Sequence, residues 1–206
     1  MNRPILISFH MTQEQYEKSI QTGYLQLTNW QKFNHFSIVG FLLFIPLGYL
    51  SITLYERVNG NGSNFNSDEL YIIFIPVILA TLFYFLQKSR LKFKVLISEL
   101  KREQIIDYLE QLCKEWNWTI KTNNHNEFLA KTNLTFFSGS WGEQVTILFD
   151  ENTVLVNSIC DLDKRSSLVS MGHNRENVKA VSDLIANTNA LTNEVKIPVP
   201  EKLSRD

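Results

Sequence analysis

The stretch Phe36–Tyr55 reads FSIVGFLLFIPLGYLSITLY and contains twenty residues without a charged side chain. A second uncharged stretch, Leu70–Leu86, reads LYIIFIPVILATLFYFL. A helix rises about 1.5 Å per residue, so about 20 apolar residues cross a bilayer core about 30 Å thick. The Asn- and Gly-rich segment 56–69 joins the two stretches as a loop. We therefore predict a transmembrane helical hairpin at residues 36–86, with spans 36–55 and 70–86.

Charges beside the two spans predict how the hairpin is oriented. Residues 88–102 carry six Lys or Arg and one Glu, whereas the loop 56–69 carries one Arg, two Glu and one Asp. Positive residues stay on the cytoplasmic side of a membrane, so we predict that both termini are cytoplasmic. Basic and aromatic residues beside the spans are also predicted to contact the bilayer at its headgroups. They are Lys88, Arg90, Lys92, Lys94 and Trp30.

Composition and charge argue against several classes of function. A net charge of −1 argues against a protein that coats nucleic acid. The mean hydropathy of −0.11 means that the chain outside the two spans is polar, unlike a polytopic transporter. Neither span contains Asp, Glu, Lys, Arg or His, the residues that mark ion and proton paths. We therefore expect an anchor and not a pump, channel or proton-coupled carrier.

The amino-terminal segment, residues 1–35, is predicted to hold a short strand and an amphipathic helix. The strand is indicated by alternation in residues 5–9, and Thr12 precedes Gln15 at the spacing of a capping box. An apolar stripe then recurs at helical spacing, at Tyr16, Ile20, Tyr24 and Leu27. Two interpretations stay open: the helix lies on the membrane surface, or it packs on the soluble domain.

Residues 87–190 are predicted to form a cytosolic α+β domain of two layers, in the order α-β-β-β-β-α. The first helix starts at Lys101, and the absence of Gly and Pro from residues 77–138 allows the second span to continue into it. Its predicted buried face is Ile105, Ile106, Leu109, Leu112, Cys113 and Trp116. Alternating or β-branched runs predict strand segments at 118–121, 128–131, 134–137, 144–149 and 153–159. A last helix begins at Asn174, and residues 191–206 are predicted to be a flexible tail.

One segment could carry binding chemistry, at the start of the last helix. Gly172 permits a tight turn, Asn174 suits an N-cap, and free N–H groups at a helix start attract anions. His173 and Arg175 add charge for a phosphate, a lipid headgroup or a protein partner. Trp141 lies in another loop and is the fifth candidate contact; it either lines a pocket or forms a structural corner. The competing interpretation of the first segment is that Asn174 only caps a helix.

The search for catalytic and metal sites yields no candidate. The four histidines are scattered, and Asp161 and Asp163 supply only two oxygen ligands where Ca²⁺ takes six or more. No Walker loop, dinucleotide fingerprint or nucleophile elbow is present. Both cysteines, Cys113 and Cys160, are expected to be reduced in the cytosol. We predict a protein that is not an enzyme and binds no cofactor, metal or nucleic acid.

Residues 140–178 contain SWGEQVTILFDENTVLVNSIC and, after a loop, SMGHNRENV. This pattern resembles a signature of uncharacterised bacterial membrane-associated domains, in which a strand pair ending in Asn-Ser leads to Gly-x-Asn at a helix start. The plan of two spans and a small β-rich cytosolic part is similar to bacterial two-span proteins. The resemblance implies a place in the bacterial inner membrane but no activity. We expect an accessory or regulatory subunit that binds a protein partner or a second copy; the alternative is a sensor of an anionic ligand or lipid headgroup.

Overall fold

The computed structural model describes residues 11–60, 70–132, 142–164 and 172–196, with side chains up to residue 190. Its elements are α1 Gln13–Thr22, α2 Asn29–Val58, α3 Leu70–Arg90, β1 Lys94–Ile97, α4 Arg102–Glu115, β2 Trp118–Asn123, β3 Glu127–Thr132, β4 Glu143–Asp150, β5 Thr153–Cys160 and α5 His173–Lys196. These residues form two compact units. Of the described residues, the sheet unit comprises 11–26, 93–132, 142–161 and 172–196; the hairpin unit comprises 27–60, 70–92 and 162–164.

The hairpin unit consists of α2 and α3, which pack against each other. The rings of Phe36 and Tyr84 meet across the two helices with centroids 5.6 Å apart. Ala80 is 2% exposed, and its small side chain lets the helices approach closely. Each helix continues through its internal proline, Pro46 in α2 and Pro76 in α3. Both helices are long and apolar enough to cross a membrane, and each extends beyond the span predicted for it.

The second long helix ends at Arg90, where the chain turns into a strand. The N–H of Leu91 donates to the carbonyl of Lys88 at 3.2 Å, and that of Lys92 donates to Ser89 at 3.2 Å. These shorter-range bonds tighten the last turn of α3. Residues 94–97 then pair antiparallel with β5 as strand β1. The expectation that the span continues into the next helix is therefore wrong, because pairing with β5 stabilises an extended backbone here.

The sheet is antiparallel throughout, with strand order β1-β5-β4-β3-β2. The predicted hairpin of β2 and β3 is confirmed. Its turn is held by Asn124, whose Oδ1 accepts from the N–H groups of Asn126 at 3.0 Å and Glu127 at 2.8 Å. The α+β class is confirmed as well, although β1 is a strand that the predicted order lacks. The predicted strand segment 134–137 lies outside the described residues.

Helices α4 and α5 bury their apolar sides against one face of the sheet. The fully buried members of this core include Leu109, Phe128, Ile147, Val156, Val181 and Ile185. Trp116 was expected on the buried side of α4 but is 46% exposed, because the helix ends at Glu115. Cys113 is buried in this core and Cys160 is half-buried, both as free thiols. Helix α5 continues to Lys196, so the first residues of the predicted tail are helical.

Helix α1 packs on the sheet unit, which decides between the two interpretations of the amino-terminal helix. The capping box of Thr12 and Gln15 is present as predicted. The hydroxyl of Tyr16 donates to the carbonyl of Phe149 in β4 at 2.5 Å. The helix ends at Gly23, whose φ of 69° is in the left-handed region that glycine adopts without strain. The predicted strand near residues 5–9 lies outside the described residues.

Candidate functional site

The segment predicted to bind an anion lies at the start of α5. The carbonyl of Gly172 accepts from the N–H groups of Arg175 at 2.9 Å and Glu176 at 3.1 Å. The Nδ1 atom of His173 lies 3.2 Å from Oε2 of Glu176, so a carboxylate already stands beside this imidazole. Arg175 is exposed. Of the four predicted contacts in this segment, only the Arg175 guanidinium therefore presents a positive group to solvent.

Asn174 does not cap the helix as predicted, because α5 begins one residue earlier. Its Oδ1 instead accepts a hydrogen bond from the Ser158 hydroxyl at 3.1 Å. Asn177 donates from Nδ2 to the same hydroxyl oxygen, also at 3.1 Å. Ser158 is 6% exposed and Asn177 4%. An amide is not a base at neutral pH, so these bonds hold α5 on β5 and do not activate the hydroxyl as a nucleophile.

A buried charged cluster joins the ends of β3 and β5 to the start of β4. The Nζ atom of Lys131 lies 2.6 Å from Oδ1 of Asp161, and the two side chains are 14% and 2% exposed. The Thr132 hydroxyl donates to Oε2 of Glu143 at 2.5 Å and accepts from the Glu143 N–H at 2.8 Å. Lys131 and Asp161 thus form a buried pair of opposite charges, and Thr132 is hydrogen-bonded to Glu143 beside it. Asp161, considered above as a metal ligand, forms an ion pair. Trp141, the fifth predicted contact, lies outside the described residues.

A cleft of about 240 Å³ lies between the start of α1 and the turn joining β2 and β3. It is lined by Met11, Gln13, Tyr16, Asn124, His125, Asn126 and Glu127. The Glu127 carboxylate is nearly buried and accepts from the N–H of Met11 at 3.3 Å. Nδ2 of Asn126 donates to Oε1 of Gln13 at 3.1 Å across 113 residues of sequence. Sequence periodicity does not reveal such a site, because its two halves meet only after folding.

The predicted membrane-surface residues of the hairpin lie at one of its ends. Nε2 of His35, near the start of α2, lies 3.0 Å from the carbonyl oxygen of Gln87, near the end of α3. This contact brings Trp30, in the first turn of α2, to the same end as Lys88 and Arg90. Trp30 stacks on Phe33 with ring centroids 5.6 Å apart, and both are 65% exposed. Lys92 and Lys94 follow in the chain and are exposed.

No protein-family model, curated protein or solved structure matches this chain. The resemblance to uncharacterised bacterial two-span proteins therefore stays a prediction.

Proposed function

We propose that this chain is a non-enzymatic integral membrane protein of the bacterial inner membrane, with two spans and both termini cytoplasmic. The observation that carries the proposal is the exposure of α2 and α3. Of the most apolar stretch of each helix, only 6% in α2 and 11% in α3 is buried within the protein. An apolar helix in the core of a soluble protein is mostly buried, so these side chains need a lipid environment.

Charge at one end of the hairpin supports the cytoplasmic orientation. Lys32, Lys88 and Arg90 lie at the end where His35 meets Gln87. Stacked Trp30 and Phe33 occupy the same end, where amphipathic rings suit the headgroup region. We infer that this end faces the cytoplasm and that the sheet unit lies on that side.

The sheet unit is proposed to bind a protein partner, as an accessory or regulatory subunit of a membrane complex. Its exposed Trp116 supports this role. Trp116 packs edge-on against the buried Trp118, with centroids 5.7 Å apart, and is 46% exposed. On the neighbouring strand β2, Ile120 is also exposed. Tryptophan held rigidly at a surface is enriched among residues that dominate binding energy.

The partner role is tested by purifying the tagged full-length protein from native expression levels in mild detergent. We expect a stoichiometric partner, or a second copy of the chain, that is lost with Trp116→Ala and retained with Lys114→Ala, a matched exposed position on α4. An unchanged unfolding midpoint for Trp116→Ala would show that the loss is not misfolding. A monomer without any stoichiometric partner would contradict the accessory role.

The alternative, a sensor of an anionic ligand, is favoured by the exposed Arg175 at the start of α5. Glu176 beside His173 counts against it, because a carboxylate repels an anion at the same place. Inorganic phosphate titrated into the full-length protein in detergent would test it. Binding that is abolished by Arg175→Ala and kept by Lys179→Ala, an exposed residue further along α5, would favour the sensor; absence of binding would remove it.

A further inference from the structure

The edge strand β1 exposes two aliphatic side chains to solvent. Val95 is 58% exposed and Ile97 is 75% exposed, although both belong to a strand of the folded sheet. Alternate residues of a strand point to the same face, so the two side chains lie together. Among the strands of the described residues, β1 lies at one edge of the sheet and β2 at the other. An exposed aliphatic pair on an edge strand is a surface that an apolar partner would cover.

The backbone of this edge is already engaged at both ends. The N–H of Ser98 donates to the carbonyl of Asn152 at 2.9 Å, so this N–H points toward β5. The backbone N–H and carbonyl groups of the neighbouring odd-numbered residues therefore point away from β5. On the outward side, the N–H of Phe93 donates to Gly23 at 2.9 Å. The carbonyl of Ile97 accepts from Nδ2 of Asn189 in α5 at 2.9 Å. A strand from another protein or a second copy would have to displace both bonds, so the edge is poorly suited to strand addition.

Charge and chain length favour a lipid surface as the occupant. Residues 91–93 alone connect the end of α3 to β1. The four residue-to-residue steps from Arg90 to Lys94 cover at most about 14 Å, even when fully extended. A span that ends at Arg90 therefore keeps β1 within reach of the headgroups. Lys92 in this connection and Lys94 at the start of β1 are exposed and suit the anionic cytoplasmic leaflet. An aliphatic pair beside lysines is the combination found on surfaces that rest in the membrane interface.

We propose that the β1 edge of the sheet unit rests in the headgroup region of the anionic leaflet, with Val95 and Ile97 inserted among the upper acyl chains. The inference depends on the proposed insertion of α2 and α3. The lipid holds the sheet unit by its edge and leaves the β2 edge, with Trp116 and Ile120, pointing away from the bilayer. The five-stranded sheet then separates the two edges by four strand spacings, about 19 Å.

The test uses the full-length protein in nanodiscs that contain phosphatidylglycerol. In a background of Cys113→Ala and Cys160→Ala, single cysteines are placed at Ile97→Cys and Ile120→Cys and labelled with an environment-sensitive fluorophore. We expect the label at position 97 to shift to shorter wavelength and to be quenched by lipids that carry a spin label near the headgroup. The label at position 120, on the opposite edge, should be quenched by aqueous iodide instead.

One further variant separates the possible outcomes. Leu47→Cys, at an exposed position within α2, reports whether the hairpin is in the bilayer. If position 47 is quenched by lipid and position 97 only by iodide, the edge contact is overturned while membrane insertion stands. If position 97 is shielded from both quenchers, a protein covers the edge and the lipid assignment is wrong. If no label senses lipid, the proposed membrane location itself fails.

The lysines give a second readout of the same contact. Replacing Lys92 and Lys94 together by Gln should reduce lipid quenching at position 97 in anionic discs. The same replacement should have little effect in discs of phosphatidylcholine alone, because no surface charge is present there. An equal loss of lipid quenching at position 97 in both kinds of disc would mean that the lysines act through folding. That result would overturn their proposed attraction to anionic lipid.

Discussion

The imidazole of His35 caps the last turn of α3 through the carbonyl of Gln87, with Nε2 and O 3.0 Å apart. A carbonyl oxygen only accepts, so the ring carries its proton on Nε2 and donates it. Gln87 lies in the last turn of α3, where carbonyl groups lack an N–H from a following helical turn. One side chain therefore satisfies a helix end and joins the two helices of the hairpin. His35 is 9% exposed and Gln87 is 2% exposed, so water does not readily replace this bond.

Removing this cap should loosen the hairpin. His35→Ala leaves a nearly buried carbonyl without its donor, and we expect a loss of about 1–3 kcal/mol in the free energy of unfolding. Chemical unfolding of the full-length protein in detergent measures it. Trp30→Ala removes an exposed ring from the same end and should change the unfolding midpoint less. An equal midpoint for His35→Ala and the unmodified protein would contradict the capping role.

The ion pair of Lys131 and Asp161 should be costly to break from one side. Asp161→Ala removes the carboxylate that pairs with Lys131, whose side chain is 14% exposed. Breaking a buried ion pair from one side costs about 3–5 kcal/mol in the free energy of unfolding. Adding Lys131→Met to the same protein removes the buried positive charge, so the double variant should be more stable than Asp161→Ala alone. Urea unfolding of the three proteins provides the comparison. A double variant that is less stable than the single one would show that the lysine has other essential contacts.

The sequence pattern predicted those helices and strands whose own residues show the periodicity or the turn residues that define them. Helix α4 shows its buried apolar residues at helical spacing. The residues Asn123-Asn124-His125-Asn126 predict the turn between β2 and β3. Strand β1 gave no such signal, because KVLI is four residues long and sits in a basic run. Its extended form depends on β5, which lies about 60 residues later in the chain. The end of α3 was missed for the same reason: without Gly or Pro, only tertiary pairing stops the helix.

The candidate site was predictable only in part. The pattern pointed to the start of α5, where Arg175 is exposed. It assigned Asn174 to capping, whereas the folded chain pairs Asn174 with Ser158 on β5. Nothing in local sequence indicates that contact, because it forms when α5 packs on the sheet. The cleft beside Glu127 likewise depends on α1 meeting a turn more than a hundred residues away.

Cys113 should react slowly with thiol reagents in the folded protein. Burial, with a smaller contribution from nearby Glu110, raises the pKa of the Cys113 thiol to about 11. At pH 8 about one molecule in a thousand then carries the reactive thiolate, whereas an ordinary thiol is ionised in about a quarter of molecules. In a Cys160→Ala background, we expect maleimide labelling at pH 8 to be very slow until denaturant is added. Rapid labelling of the folded protein would show that this part of the core opens readily.

The hydroxyl of Tyr16 should hold α1 on the sheet in a pH-dependent way. At neutral pH, Tyr16→Phe removes the bond to the Phe149 carbonyl, and we expect a loss of about 1 kcal/mol in the free energy of unfolding. Partial burial, and then the negative charge of Asp150, raises the pKa of Tyr16 above its usual value of 10.0. Above about pH 10 the unfolded chain ionises this phenol first, so the stabilisation is lost as pH rises through the folded pKa.

The Tyr16 prediction is checked by urea unfolding of both proteins between pH 7 and pH 11. The unmodified protein should be the more stable one from pH 7 to about pH 10, and the gap should narrow above that value. Tyr24→Phe, on the same segment and with a half-buried ring, serves as the matched control for the removal of a hydroxyl. Hydrogen exchange of the α1 amides adds a local readout, because undocking should speed exchange in residues 13–22 and leave α4 unchanged. If the difference in free energy of unfolding between the unmodified protein and Tyr16→Phe widens above pH 10, the raised pKa of Tyr16 is contradicted.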